Sequence, residues 1–132
     1  MRVLMVAQSF SPIVGGEERI VEDLSRELAR RGHQVAVATL RQPLGEPLPR
    51  EDGVEVRLLE TAMSRVPGLA ADPERDYAPP APDPLSARDL RRVIRDFRPD
   101  VVHAHNWLVH SYLPLERRSG AAFVLSLHDY SL

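Results

Sequence analysis

A chain of 132 residues has room for one domain, one that buries roughly two-thirds of the surface its unfolded form exposes. Its formal net charge of -2 gives no electrostatic pull toward nucleic acid, and no aromatic-rich basic stripe reads as a nucleic-acid surface. Cysteine and lysine are both absent, all 17 basic residues being arginine, which excludes disulfides, thiolate metal sites, cysteine nucleophiles, a P-loop lysine and Schiff-base chemistry within these residues.

Met1-Arg2 runs straight into an apolar segment without a signal-peptide pattern, and no apolar stretch approaches the roughly 20 residues that span a bilayer. The expected location is the cytoplasm. The first strand is Val3 to Ala7, followed by "SFSPIVGGEER", in which a proline and the adjacent Gly15 and Gly16 precede a helix. Ile20, Val21, Leu24 and Leu28 recur at helical spacing, and Arg30-Arg31-Gly32 supplies a basic last turn and a glycine stop.

Gln34 to Leu40 reads as a second strand and Val54 to Leu59 as a third, joined by a Pro/Gly-rich connection that turns at Glu51-Asp52-Gly53. Residues 61–84 hold six prolines and little periodicity, and are expected to form a long surface loop without regular structure. Leu90, Val93, Ile94 and Phe97 mark an amphipathic helix closed by Arg98-Pro99. Arg88, Arg91, Arg92 and Arg95 make its outer side basic, and two readings stay open there: a solvated face, or contact with an anionic membrane surface.

"DVVHAH", residues 100–105, is a fourth strand, a short helical piece lies between Leu108 and Arg118, and Ala122 to Leu127 is a fifth strand. Short β-branched runs alternating with helical periodicity predict βαβ units, hence an α/β fold with a doubly wound parallel sheet of five strands. The helix that should cover the fifth strand is missing from these residues, so the expectation is a domain incomplete at its C-terminal end, or one covered by something else.

In such sheets ligands bind beyond the carboxyl ends of the strands, and the unusual residues fall there: Gly15-Gly16, His105-Asn106-Trp107 and His128-Asp129-Tyr130. Two glycines before a helix let a ligand approach backbone N–H groups whose dipole favours an anion, although a mere tight turn is the alternative. Glu17 and Glu18 complicate an anion site, so at least one is expected to turn away or cap the helix. The loop lacks the G-x-G-x-x-G fingerprint, and no acid ends the second strand, which disfavours a nicotinamide cofactor. His103, His105, His110 and His128 invite a metal reading, but "HAHNWLVH" has Asn106 where a metallohydrolase motif needs aspartate. A satisfied structural histidine is the better reading of His103.

Pro12, Gly15, Gly16 and Glu18 after the first strand, "RRGHQVAVAT" into the second, "RPDVVHAHN" at the fourth and "LSLHDY" at the fifth together resemble the N-terminal domain of retaining glycosyltransferases of GT-B fold, glycosyl transferase group 1 or family 4-like. The resemblance spans nearly the whole chain and implies a Rossmann-like domain on the acceptor side of the cleft. It implies transfer of a sugar from a nucleotide-diphosphate donor to an acceptor hydroxyl with retention, without a required metal. By the same resemblance Gly15 and Gly16 contact donor or acceptor in the cleft, His128 lies against the transferred sugar, and His105 and Asn106 line the acceptor side.

The acceptor class it implies is a carbohydrate, a lipid-linked or a small molecule, with no nucleic-acid partner and with peripheral contact at the inner membrane face left open. The nucleotide-binding C-terminal GT-B domain of the family would follow Leu132, and residues 61–84 would form the variable element over the acceptor. The rival expectation is a non-catalytic Rossmann-like binding or assembly module acting with a separate chain, which an exposed apolar patch at the fifth strand would favour.

Overall fold

The structure, a computed structural model, describes residues 1–10, 15–43, 49–65 and 78–128. Its elements in chain order are β1 (Arg2–Ala7), α1 (Gly16–Arg30), β2 (Gln34–Leu40), β3 (Arg50–Glu51), β4 (Val54–Leu59), α2 (Pro84–Phe97), β5 (Val101–His105), α3 (Val109–Tyr112), α4 (Glu116–Ser119) and β6 (Ala122–Ser126). Short 3-10 turns cover Ala62–Arg65, Asn106–Leu108 and Leu113–Leu115.

One six-stranded sheet runs in the order β3-β4-β2-β1-β5-β6. The five long strands are parallel, as the alternating periodicity predicts. The sixth, β3, is the departure: it pairs antiparallel with β4, Glu51 opposite Val54. The expected turn is therefore the tip of a hairpin, and Asp52 (φ 50°) and Gly53 (φ 79°) both occupy the left-handed region that a two-residue type I′ loop demands.

Strand alternation sorts side chains into two cores. Val3, Met5 and Ala7 of β1 with Val35 and Val37 of β2 face Val21, Leu24 and Leu28 of α1. Leu4, Val6, Ala36, Ala38 and Leu40 face Leu90, Val93 and Phe97 of α2 and Leu108, Val109 and Tyr112 beyond β5. Buried strands with helices on both faces explain the near-continuous apolar runs in the sequence.

The stretch 61–84 is ordered at both ends, contrary to a loop without regular structure. Asp83 caps α2, its Oδ1 accepting from the Leu85 and Ser86 amides at 2.9 and 3.2 Å, while Pro84 takes the first helical position. Its Oδ2 accepts from the Thr61 hydroxyl at 2.6 Å and the Ala62 amide at 2.9 Å. Thr61 and Asp83 are both buried, so one carboxylate ties the exit of β4 to the start of α2. Residues 66–77 of that segment lie outside the described residues.

β1 sits between β2 and β5, and the chain winds outward from it in both directions. That reversal places the crevice of a doubly wound sheet between the carboxyl ends of β1 and β5.

Candidate functional site

The exits of β1, β5 and β6 and the first turn of α1 meet at this end of the sheet. α1 begins after Gly15 in extended backbone, with no side chain capping its first turn. Both first-turn acids are engaged by other side chains of the protein. The Ser9 hydroxyl donates to Glu18 Oε1 at 2.5 Å, and the Asn106 amide donates to Glu17 Oε2. Glu18 is buried, a position a carboxylate tolerates only when hydrogen-bonded.

This arrangement separates the two glycines. A methyl group on Gly15 would run into the Glu18 carboxylate, so Gly15 leaves room for an internal contact. A methyl group on Gly16 would meet nothing within 4 Å, and Gly16 is exposed. Of the two glycines, Gly16 is the one with open space beside it among the described residues. Pro12 and residues 11–14 lie outside the described residues.

β5 ends at His105, whose side chain is 0% exposed. Asn106 follows with φ 57°, a left-handed conformation that asparagine adopts more readily than most residues, and this bend carries its amide toward Glu17. His105 Nδ1 lies 2.8 Å from His128 Nε2, and the two rings meet edge to edge, with centroids 5.1 Å apart and planes 17° from parallel. His103, two residues earlier on the same face of β5, has its ring centroid 4.3 Å from that of His105 and shares a 2.7 Å hydrogen bond with the Ser126 hydroxyl. The satisfied structural histidine expected at position 103 is what the structure contains.

Burial, then the neighbouring His103 and His128, push His105 down to about 3, so the ring is neutral through the physiological range. Burial and His128 lower His103 as well. A neutral imidazole such as His105 at a strand end can give or accept hydrogen bonds, and it adds no charge against a diphosphate. Among the described residues, no group of three or more His, Asp and Glu side chains is arranged to hold a metal ion.

The structure thus brings together His105, Asn106 and His128, and joins Asn106 to the α1 terminus that carries Gly15 and Gly16. His110 is on α3 and takes no part in the histidine row. Asp129 and Tyr130 lie outside the described residues. Glu17 and Glu18 were visible in the sequence as a complication of the anion site, whereas their contacts with Asn106 and Ser9, and that of Ser126 with His103, escape a sequence reading because each forms between residues apart in the chain.

Two concavities lie elsewhere. One of about 510 Å³ at the amino ends of the strands is lined by Arg2, His33, Arg50 and Gly53 among others. Another of about 590 Å³ lies between α2 and α4, over Ile94 and Leu115, with Arg91, Arg95, Arg98 and Arg118 at its walls. The basic outer side of α2 is partly neutralised by its own acids: Arg88 and Arg92 approach Asp89 at 3.0 and 3.8 Å, and Arg95 approaches Asp96 at 3.5 Å. No helix among the described residues is long and apolar enough to cross a membrane. On β6, Val124 is 45% and Leu125 40% exposed, and Leu127 beyond it 60%.

Comparison with known proteins joins this geometry to a family. The sequence model of Glycosyltransferase Family 4 matches residues 14–132. The chain is 34% identical to glycogen synthase from Mycobacterium tuberculosis (strain ATCC 25618 / H37Rv) over 143 aligned residues, covering 97% of this chain and 33% of that protein. It is 36% identical over 106 residues to the GDP-mannose-dependent alpha-mannosyltransferase of Mycolicibacterium smegmatis, covering 78% of this chain and 25% of the relative. Sucrose-phosphate synthase from Thermosynechococcus elongatus shares the fold at a TM-score of 0.67 and 15% identity, over 97% of this chain and 33% of that one. The chain spans about a third of the length of the first of these relatives.

Proposed function

The chain belongs to glycosyltransferase family 4, and from that premise we propose that it is the acceptor-side, Rossmann-like part of a retaining GT-B enzyme moving a sugar from a nucleotide-diphosphate donor to an acceptor hydroxyl. The observation that carries the reading is the meeting of the α1 first turn, Asn106 and the His105–His128 pair at the exits of β1, β5 and β6, where a doubly wound sheet binds its ligands.

On this reading the chemical demand is stabilisation of the departing diphosphate and close placement of the acceptor. Exposed Gly16 gives a ligand access to the first-turn N–H groups, and the engagement of Glu17 and Glu18 with internal partners reduces the conflict with a phosphate. His128 lies against the transferred sugar and positions it, with no nucleophilic role, while His105 and Asn106 shape the acceptor side. The donor's nucleotide is held mainly by a second GT-B domain. The reaction needs no metal, and the enzyme works in the cytoplasm, free or at the inner membrane face.

The exposed apolar side chains of Val124, Leu125 and Leu127 support a second reading, a non-catalytic module completed by a separate chain. One experiment separates them. The full-length protein is incubated with UDP-glucose, ADP-glucose or GDP-mannose and a panel of sugar and lipid-linked acceptors, with and without EDTA, and product anomers are identified by NMR. Transfer with retention, unaffected by EDTA, is the expected result. Absence of transfer from every donor, with a separate protein bound at β6, establishes the module instead.

A further inference from the structure

His105 has more structure around it than a residue lining a cleft requires. Its side chain is wholly buried, edge to edge with His128 on one side and in ring contact with His103 on the other. His103 is separately fixed by Ser126 and does not compete for the His105 nitrogens. Nδ1 of His105 faces Nε2 of His128 at 2.8 Å, and the other nitrogen of His105, Nε2, is buried without a hydrogen-bond partner among the described residues.

A neutral imidazole carries one hydrogen, and two nitrogens at this separation have room for one hydrogen between them. Only two arrangements satisfy both rings. If His105 carries its hydrogen on Nε2, a buried N–H is left orphaned and His128 must donate. If the hydrogen is on Nδ1, His105 donates, only a lone pair is left unmatched in the interior, and the Nε2 of His128 accepts. Orphaned buried N–H groups are the rarer defect, which favours the second arrangement.

We propose that His105 is a positioning residue: its Nδ1–H donates to Nε2 of His128 and thereby fixes His128 in the Nδ1–H tautomer, turning it into a hydrogen-bond donor toward the ligand. A sugar hydroxyl can give or accept, so a partner that can only give dictates which way the hydroxyl's own hydrogen points. The ligand chemistry this selects is an oxygen lone pair of a sugar hydroxyl or ring ether, with the hydroxyl's hydrogen directed elsewhere. The proposal rests on the reading that His128 faces the transferred sugar.

The tautomer can be read directly in the full-length protein labelled with 15N-histidine, by long-range proton–nitrogen correlation at neutral pH, with signals assigned by their loss in His128→Ala and His105→Phe. The expected spectrum has a protonated Nδ1 and a bare Nε2 on His128, and a protonated Nδ1 on His105. A protonated Nε2 on His128 overturns the proposal. In His105→Phe, which keeps a ring in the row but removes the donor, His128 should shift toward the Nε2–H form that a free histidine side chain favours in water. An unchanged tautomer there also overturns the proposal.

The same variant should lower kcat on the order of tenfold to a hundredfold with KM little altered, and His105→Asn, whose amide can donate from nearly the Nδ1 position, should recover part of both the tautomer and the turnover. If His105→Phe does not fold, the wild-type spectrum decides alone. A tautomer that shifts as expected while turnover stays constant supports the His105–His128 relation and removes His128 from the sugar, so the two readings fail separately.

Discussion

The side-chain amide of Asn106 donates to the carboxylate of Glu17 across 89 positions of sequence, linking the bend after β5 to the first turn of α1. Asn106 is in the left-handed region with φ 57°, where alanine is strained and glycine is not. Asn106→Gly should therefore lose only the charge-assisted hydrogen bond, about 2 kcal/mol, and Asn106→Ala about 1 kcal/mol more, both read from urea denaturation. Equal losses in the two variants would show that backbone conformation contributes nothing here.

The division between the two glycines makes opposite predictions for adjacent positions. Gly15→Ala must displace the buried Glu18 carboxylate from Ser9 and should cost about 1–3 kcal/mol of stability. Gly16→Val has open space and should change stability by no more than about 0.5 kcal/mol while lowering turnover of the full-length protein on the order of tenfold. Gly16→Val with full activity would remove the backbone there from the ligand's path.

His128→Ala in the full-length protein should lower kcat on the order of a hundredfold with the fold intact by circular dichroism. Unchanged turnover would take His128 out of the site.

Asp83 accepts from four groups at the junction of β4, the segment after it and α2. Loss of a helix cap and of buried hydrogen bonds to a charged group together should make Asp83→Ala about 3 kcal/mol less stable in denaturant titration. Asp83→Ser, which can still cap α2 but cannot also serve Thr61 and Ala62, should fall between.

Acid should loosen the histidine row. His105 is held at about 3 in the folded protein against about 6.5 when unfolded, so the unfolded state binds the extra proton first. The stability tied to its neutral form is fully present above pH 6.5 and is lost as the pH falls from there toward 3, with His103 adding to the loss in the same direction. Denaturation midpoints measured between pH 8 and pH 4 should decline, and less steeply in His105→Phe. Parallel curves for the two proteins would refute this.

The parallel strands and the two main helices were legible because each runs long enough for its period to show, as with Val3 to Ala7 or Leu90 to Phe97. β3 was not, since a two-residue strand has no period, although Asp52-Gly53 marked its turn. Asp83-Pro84 carried a helix-start signal that the proline-rich context of 61–84 concealed. The site was legible only as positions at strand ends. That Glu17 reaches Asn106, that Glu18 takes the space beside Gly15, and that His105 meets His128 are facts of the folded distance between residues remote in the chain.

The β3–β4 hairpin has a consequence for how the sheet can grow. Strand β4 would otherwise present a six-residue open edge, and its amino end at Val54 and Glu55 is instead fronted by Glu51 and Arg50, two exposed and oppositely charged residues on a strand too short to template another. At the other margin β6 pairs, among the described residues, only with β5 and exposes apolar side chains. Among the described residues the sheet is thus capped at the start of one flank and open along the whole of the other, so β6 offers the longer edge for a strand added from this chain or another.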